Sequence, residues 1–76
     1  LRPIHDVINR IRWDDAFDPE DFVLGYEERY AGIDEISLVD FLEEGEIPEH
    51  RILYVKKGIE IVWDRRERID RIFGVL

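Results

Sequence analysis

The sequence predicts an α+β fold in which one N-terminal amphipathic helix packs on a mostly antiparallel sheet of about four strands, with a short C-terminal helical segment. Three observations support this prediction. Apolar residues recur at helical spacing near the N-terminus, residues from Phe22 onward alternate between apolar and polar, and a hairpin pattern surrounds Gly58. Because the chain has 76 residues and no long linker, we expect a single domain, residues 1–76.

The first element is a helix that begins at Pro3. Proline suits the first helical position because an N–H at that position has no partner within the helix. Four apolar residues fall at the i, i+3, i+4 and i+7 positions of one helix face: Ile4, Val7, Ile8 and Ile11. A neighbouring flank carries an imidazole, an amide and a guanidinium group, on His5, Asn9 and Arg12. The helix therefore has an apolar face for the core and one polar edge.

A turn at residues 18–21, with Pro19 in its second position, separates this helix from the first strand. The alternation that follows predicts a half-buried strand with Phe22, Leu24, Tyr26 and Tyr30 on its inner face and Val23, Gly25, Glu27 and Arg29 on its outer face. A reversal at Ala31-Gly32 leads to a second strand at residues 33–37. Residues 38–42 then predict a helical turn, which Gly45 ends.

Residues 51–56 and 59–64 predict the next hairpin, in which Gly58 supplies a positive φ. Two registers are compatible with the pattern. A two-residue turn places Arg51 opposite Asp64 and Ile52 opposite Trp63, whereas a three-residue loop places Arg51 opposite Trp63. After the hairpin, Asp64 and Glu67 resemble a helix capping box. Ile69, Ile72 and Phe73 indicate a short final amphipathic turn or helix, which ends at Gly74.

The composition limits the classes of function. The chain has no Cys, so disulfides and thiolate metal sites are excluded. Two His residues and scattered carboxylates match no zinc or calcium spacing, and no phosphate loop occurs, so we expect no metal and no cofactor. No apolar run reaches the roughly 20 residues of a membrane span, and no signal-peptide pattern opens the sequence. We expect a cytoplasmic protein, and the abundance of Glu, Arg and Ile favours a thermophilic source.

The net charge of −8 argues against general binding of DNA or RNA, since sequence-independent affinity comes from Lys and Arg at phosphates. The charge is unevenly distributed. Residues 1–50 hold 4 basic and 15 acidic side chains, whereas residues 51–76 hold 7 basic and 4 acidic ones. An anion-binding surface is therefore expected on the C-terminal part.

Candidate ligand-binding groups cluster around the two Trp-Asp pairs. Arginine binds phosphate through two parallel hydrogen bonds, His titrates near neutral pH, and aromatic rings stack on bases. These groups also have structural interpretations. Arg51 pairs with Asp64 across the hairpin, His50 is a capping or surface residue, and Trp13 and Trp63 pack in the core. The basic run of Arg65, Arg66, Arg68 and Arg71 forms either a phosphate-facing edge or a solvated helix face.

Three ordered motifs carry a family resemblance: PIHDVINRIRWD at residues 3–14, IPEHRILY at 47–54 and VWDRRERIDRIFG at 62–74. Together they resemble a small, mainly archaeal family of uncharacterised proteins whose domain is proposed to recognise RNA ends that bear a cyclic phosphate. The resemblance implies a non-catalytic module that also occurs fused to RNA-processing domains. Eleven residues match the three motifs: His5, Asn9, Arg12, Trp13, Asp14, His50, Arg51, Trp63, Asp64, Arg65 and Arg68.

Combining the resemblance with the chemistry of these residues, we expect recognition of a 2′,3′-cyclic phosphate or another phosphorylated 3′ end of RNA, in RNA repair or processing. The expected RNA-end binding residues are Arg12, Trp13, His50, Arg51, Trp63 and Arg65, with Asn9, Asp14 and Asp64 as orienting residues.

Two alternatives stay open. One is a small cyclic phosphodiesterase that uses His5 and His50 as general acid and base. The other is an acidic interaction subunit whose partner is a basic protein or an RNA-processing enzyme. The sequence favours a binding function over catalysis, and both alternatives stay open.

Overall fold

An antiparallel sheet with strand order β2-β1-β3-β4-β5 forms the framework of the fold. The computed structural model describes residues 1–30 and 32–74. The helices and strands in these ranges are α1 (Ile4–Trp13), β1 (Phe22–Glu28), β2 (Gly32–Ser37), α2 (Leu38–Glu44), β3 (Ile52–Lys57), β4 (Glu60–Asp64) and β5 (Ile69–Asp70). Single turns of 3-10 helix occur at Pro19–Asp21 and Glu49–Arg51. No helix within the described ranges has the length and hydropathy needed to cross a membrane.

The predicted amphipathic helix is confirmed as α1. It begins one residue after Pro3, which has extended backbone angles and serves as the N-cap. All four predicted apolar positions are buried. Arg10 and Arg12 lie in the last turn, where positive charge interacts favourably with the helix dipole. The apolar face anchors α1 on the sheet, and its polar flank stays accessible.

The predicted first strand is confirmed as β1, with one error at its end. Phe22 and Leu24 are buried, but Tyr30 is 88% exposed because the strand ends at Glu28. The second strand and the short helix are also as predicted, and Gly45 ends α2 with a left-handed φ of 62°. The predicted reversal lies partly outside the described residues, since Ala31 is not among them; Gly32 has a φ of 84°.

Both predicted registers of the β3-β4 hairpin were wrong. Lys57 pairs with Glu60, so the turn is formed by Gly58 and Ile59, one residue later than the two-residue alternative. The register then shifts, and Val55 pairs with Trp63. The shift makes Val62 an extra residue in β4, and such a bulge lets two consecutive side chains, Val62 and Trp63, both be buried. Arg51 lies before β3 and pairs with neither residue of the Trp-Asp pair.

The predicted C-terminal helix is not found in residues 65–74. Ile69–Asp70 instead adds a fifth strand to the predicted four, with Asp64 paired to Ile69 and Trp63 to Asp70. The chain reverses between β4 and β5 at Arg68, whose φ of 57° is incompatible with a right-handed helix. Ile72 still reaches the core, but it does so from a turn.

The core lies on one face of the sheet, beneath both helices. Its buried side chains come from α1, α2 and the inner faces of the strands: Ile4, Val7, Ile8, Ile11, Phe22, Leu24, Leu38, Phe41, Ile52, Val55, Val62, Trp63 and Ile72. The opposite face of the sheet contributes none of its strand residues Val23, Glu35, Tyr54 and Lys56 to this cluster. That open face and the ends of the strands are therefore surfaces of the sheet that a ligand can reach.

Candidate functional site

The Glu49–Arg51 turn joins α1 to the end of the sheet. The Nδ1 atom of His5 lies 3.2 Å from a carboxylate oxygen of Glu49, and the amide nitrogen of Asn9 lies 3.1 Å from Nε2 of His5. Arg65 donates to the backbone oxygens of His50, at 2.5 Å, and Glu49, at 3.3 Å. Side chains from two other parts of the chain thus hold this turn in place. The amide can donate to Nε2 while Nδ1–H donates to Glu49, so one neutral tautomer of His5 satisfies both contacts.

Beside this turn lies an open groove of about 550 Å³, which we call the end groove. Its lining residues come from the end of β1, the start of β2 and the turn itself: Glu27, Glu28, Arg29, Tyr30, Gly32, His50 and Arg51. The volume lies within the range of small-ligand sites, roughly 300–1,000 Å³. Two guanidinium groups and an imidazole at one opening form a suitable environment for an anion.

The end groove also contains acidic groups, which limit the charge that it can accept. Glu27 is exposed, and the carboxylate of Glu28 accepts a hydrogen bond of 3.0 Å from the backbone N–H of Tyr30. The negative charges of the two carboxylates offset the positive charges of the two guanidinium groups at pH 7. A compact anion that contacts the guanidinium groups directly is therefore favoured over a long polyanion.

His50 and Arg51 line the end groove, whereas Arg65 stabilises the turn that carries them. Besides its hydrogen bonds to the turn, the Arg65 guanidinium lies 5.6 Å from the centroid of the Trp63 ring. Trp63 is 1% exposed, and its indole N–H donates to the backbone oxygen of Arg2 at 2.9 Å. The core-packing alternative is therefore confirmed for Trp63, whose ring is covered by protein.

Trp13 has the opposite environment, since 71% of its surface is exposed and the Arg12 guanidinium lies 4.6 Å from its ring centroid. Core packing, the structural alternative for Trp13, was wrong.

His5 contacts Glu49 near the start of α1, and Trp13 follows eight residues later, which is about 12 Å along the helix axis. Trp63 binds Arg2, just before the same helix. The two Trp-Asp pairs therefore lie towards opposite ends of α1 and do not share a pocket.

The two Asp residues of these pairs organise local backbone. Asp14 accepts a hydrogen bond of 2.9 Å from the N–H of Ala16, and Arg10 contacts its other oxygen at 3.4 Å. Asp64 is 6% exposed and accepts from the N–H groups of Arg66, at 2.9 Å, and Glu67, at 3.0 Å. The contact to Glu67 has the geometry expected of a capping residue, although the segment that it caps is a turn.

Replacing Asp64 with Ala is expected to destabilise the fold by about 1–3 kcal/mol, because two backbone N–H groups lose their acceptor next to a buried site. Asp64→Asn keeps an acceptor oxygen and should cost less. Urea unfolding followed by circular dichroism measures both variants. An Asp64→Ala protein as stable as the wild type would show that the turn between β4 and β5 does not depend on this carboxylate.

Of the residues that line the end groove, sequence reasoning identified only His50 and Arg51, and among those that it missed are Arg29 and Tyr30. The alternation of apolar and polar residues continues past the end of β1 and therefore predicted that Tyr30 faces the core. The strand in fact ends at Glu28. The adjacent Glu-Glu-Arg-Tyr-Ala-Gly segment, in which polar residues precede a glycine, was the available signal for an earlier end. The contact between His5 and Glu49 was also missed, since 44 residues separate the two in sequence.

Comparison with known proteins gives the family. Residues 1–65 match the family described as "MJ1316 RNA cyclic group end recognition domain". The chain is also similar to a UPF0248 protein of Methanococcus maripaludis, with 35% identity over 75 residues, covering 83% of this chain and 99% of the relative. No solved structure shows a significant match. The family match spans most of the chain and includes the turn and both groove-lining residues of the second motif, so the chain belongs to the MJ1316 RNA cyclic group end recognition domain family.

Proposed function

We propose that this protein is a non-catalytic module that binds the 2′,3′-cyclic phosphate end of RNA in the end groove. The family description names the class of ligand. The observation that carries the proposal is the convergence of His50 and Arg51, from the second sequence motif, with Arg29 at one open groove.

The chemistry of the ligand fits the charge of the groove. A 2′,3′-cyclic phosphate is a diester with a single negative charge, whereas a terminal phosphate monoester carries about −1.5 to −2 at pH 7. Arg51 and Arg29 offer paired donors to the two free oxygens of the diester. Glu27 and Glu28 repel the additional charge of a monoester. The groove should therefore favour the cyclic end over the opened one.

The end groove also contains an aromatic side chain on which the terminal base of the RNA can stack. Tyr30 lines the end groove and is 88% exposed, so its ring is available for stacking. We assign His5, Asn9 and Arg65 to the support of the Glu49–Arg51 turn. Arg12 and Trp13, exposed about 12 Å along α1, are proposed to contact RNA further from the end.

The test is fluorescence anisotropy with one short labelled RNA, prepared with a 2′,3′-cyclic phosphate, a 3′-phosphate or a 3′-hydroxyl end. We expect the tightest binding to the cyclic end and intact RNA by mass spectrometry afterwards. Equal affinity for the three ends would contradict end recognition.

The same experiment separates the alternatives. Conversion of the cyclic end to an opened phosphate would make the protein a phosphodiesterase, for which His5 and His50 are the candidate acid and base. Both ring nitrogens of His5 already have side-chain partners, so such a role requires His5 to leave them. Absence of binding to all three RNAs, with a protein partner recovered in stoichiometric amount from source cells, would favour the interaction subunit.

A further inference from the structure

The open face of the sheet carries one aromatic ring at its centre. Gly25 of β1 pairs with Glu35 of β2 on one side and with Tyr54 of β3 on the other. Paired residues of antiparallel strands point to the same side of a sheet. Leu24 and Val55 are also paired and lie in the core, so Tyr54 and Glu35 project from the opposite face.

The Tyr54 ring is held flat against the sheet at Gly25. A Cβ atom on Gly25 would overlap the ring, so only glycine permits this approach. The Tyr54 hydroxyl donates to Glu35 at 2.6 Å, and the Lys56 ammonium lies 2.7 Å from the same carboxylate oxygen. These contacts fix the orientation of the ring before any ligand binds.

Tyr54 and Glu35 each keep one protonation state around neutral pH. Burial and the hydrogen bond to Glu35 raise the pKa of Tyr54 to about 12. Hydrogen bonds from Lys56 and Tyr54 lower the pKa of Glu35. The hydroxyl is therefore a neutral donor and the carboxylate a charged acceptor at pH 7, which keeps the ring in one position.

The ring lies close to the end groove along two strands. Arg51, which lines the groove, precedes Tyr54 by three residues, and β3 begins between them. Glu27, also in the groove, follows Gly25 by two residues and projects from the same face. Two residues of strand span about 7 Å. The nucleotide that precedes the bound end can therefore reach the Tyr54 ring.

We propose that Tyr54 is a stacking surface for the base of the second nucleotide from the RNA end, so that the domain binds a terminal dinucleotide. This inference rests on the proposed function, because the end groove must hold the terminal phosphate. A half-buried aromatic ring held on the sheet face opposite the core is a suitable platform for a base of any identity, since every base has a π-face.

The test compares two ligands by isothermal titration calorimetry: adenosine 2′,3′-cyclic phosphate and an adenosine dinucleotide that ends in the same cyclic phosphate. Tyr54→Leu is expected to weaken binding of the dinucleotide by about 10-fold and to leave the mononucleotide unaffected. Tyr54→Phe keeps the ring and should retain most of the dinucleotide affinity. Thermal unfolding of each variant checks that the fold is retained.

A measurement on the wild type makes the test independent of variant folding. The ring proton resonances of Tyr54 should shift on addition of the dinucleotide and stay unchanged with the mononucleotide. If Tyr54→Leu weakens both ligands equally or neither, and the ring resonances respond to neither, stacking at Tyr54 is excluded while end binding stands. If the wild type binds neither ligand, the proposed function itself fails.

Discussion

Replacing Trp63 with Ala is expected to destabilise the protein by about 3–5 kcal/mol, the usual cost of removing a buried aromatic ring. Trp63 is 1% exposed and is among the largest fully buried side chains of the described residues. The substitution also leaves the backbone oxygen of Arg2 without the indole donor that lies 2.9 Å away. In a domain of this size, each kcal/mol corresponds to roughly 4–8 °C in Tm. Trp63→Ala should therefore unfold well below the wild type.

Trp13→Ala is the matched control for this prediction, because it removes the same ring from a site that is 71% exposed. Substitutions at exposed sites usually change stability by less than about 0.5 kcal/mol. Differential scanning calorimetry of the wild type and the two variants measures the contrast directly. Similar losses of Tm in both variants would mean that Trp13 packs against the protein and that its assignment to the surface is incorrect.

Replacing Arg51 with Ala is expected to lower the affinity for cyclic-ended RNA by about 10- to 150-fold, since hydrogen bonds to charged groups contribute roughly 1.5–3 kcal/mol. Arg51 lines the end groove from the Glu49–Arg51 turn, outside the paired strands, so stability should change little. Affinity for the 3′-hydroxyl RNA should fall much less. Anisotropy titrations with both RNAs provide the comparison.

Lys57→Ala controls for the general loss of positive charge. Lys57 lies at the far end of β3, six residues or about 20 Å along the strand from Arg51, and lines a different depression with Asp21, Gly58 and Glu60. Its removal should affect all RNA ends equally and weakly. If both variants reduce binding to the same extent regardless of the RNA end, the contact is nonspecific electrostatic attraction and not recognition in the groove.

The helices and most strands could be predicted because their signals are local. Four apolar residues at helical spacing predicted α1, and Gly45 marked the end of α2, since each signal lies within the element that it describes. The register of the β3-β4 hairpin could not be predicted from local signals. It depends on the bulge at Val62, which is favourable only when the core has room for two adjacent side chains.

The C-terminal segment shows how a local signal can be overridden. Asp64 and Glu67 matched a capping box, and the carboxylate of Asp64 does accept from the expected N–H group. The residues that follow form a strand because β4 offers an unpaired edge to Ile69–Asp70. Pairing at that edge satisfies backbone groups that a short helix would leave exposed, and an isolated helical turn has little stability of its own.

The end groove was predicted only in part. His50 and Arg51 were identified through the chemistry of their side chains and a sequence motif, whereas Arg29 and Tyr30 were assigned to the two faces of a longer strand. Their position depends on where β1 stops pairing, and that depends on neighbouring strands. The fixed ring of Tyr54 over Gly25 likewise needs two strands in one particular register.

From the residue pattern alone, one can predict an amphipathic helix on one face of a sheet and a concentration of positive charge after residue 50, and the family motifs place His50 and Arg51 among the candidate residues. Whether the Trp of each of the two identical Trp-Asp pairs is buried depends on the tertiary structure. One Trp lies in the core and the other at the surface. A side chain's burial is set by what packs against it from distant parts of the chain, and identical dipeptides carry no information about those neighbours.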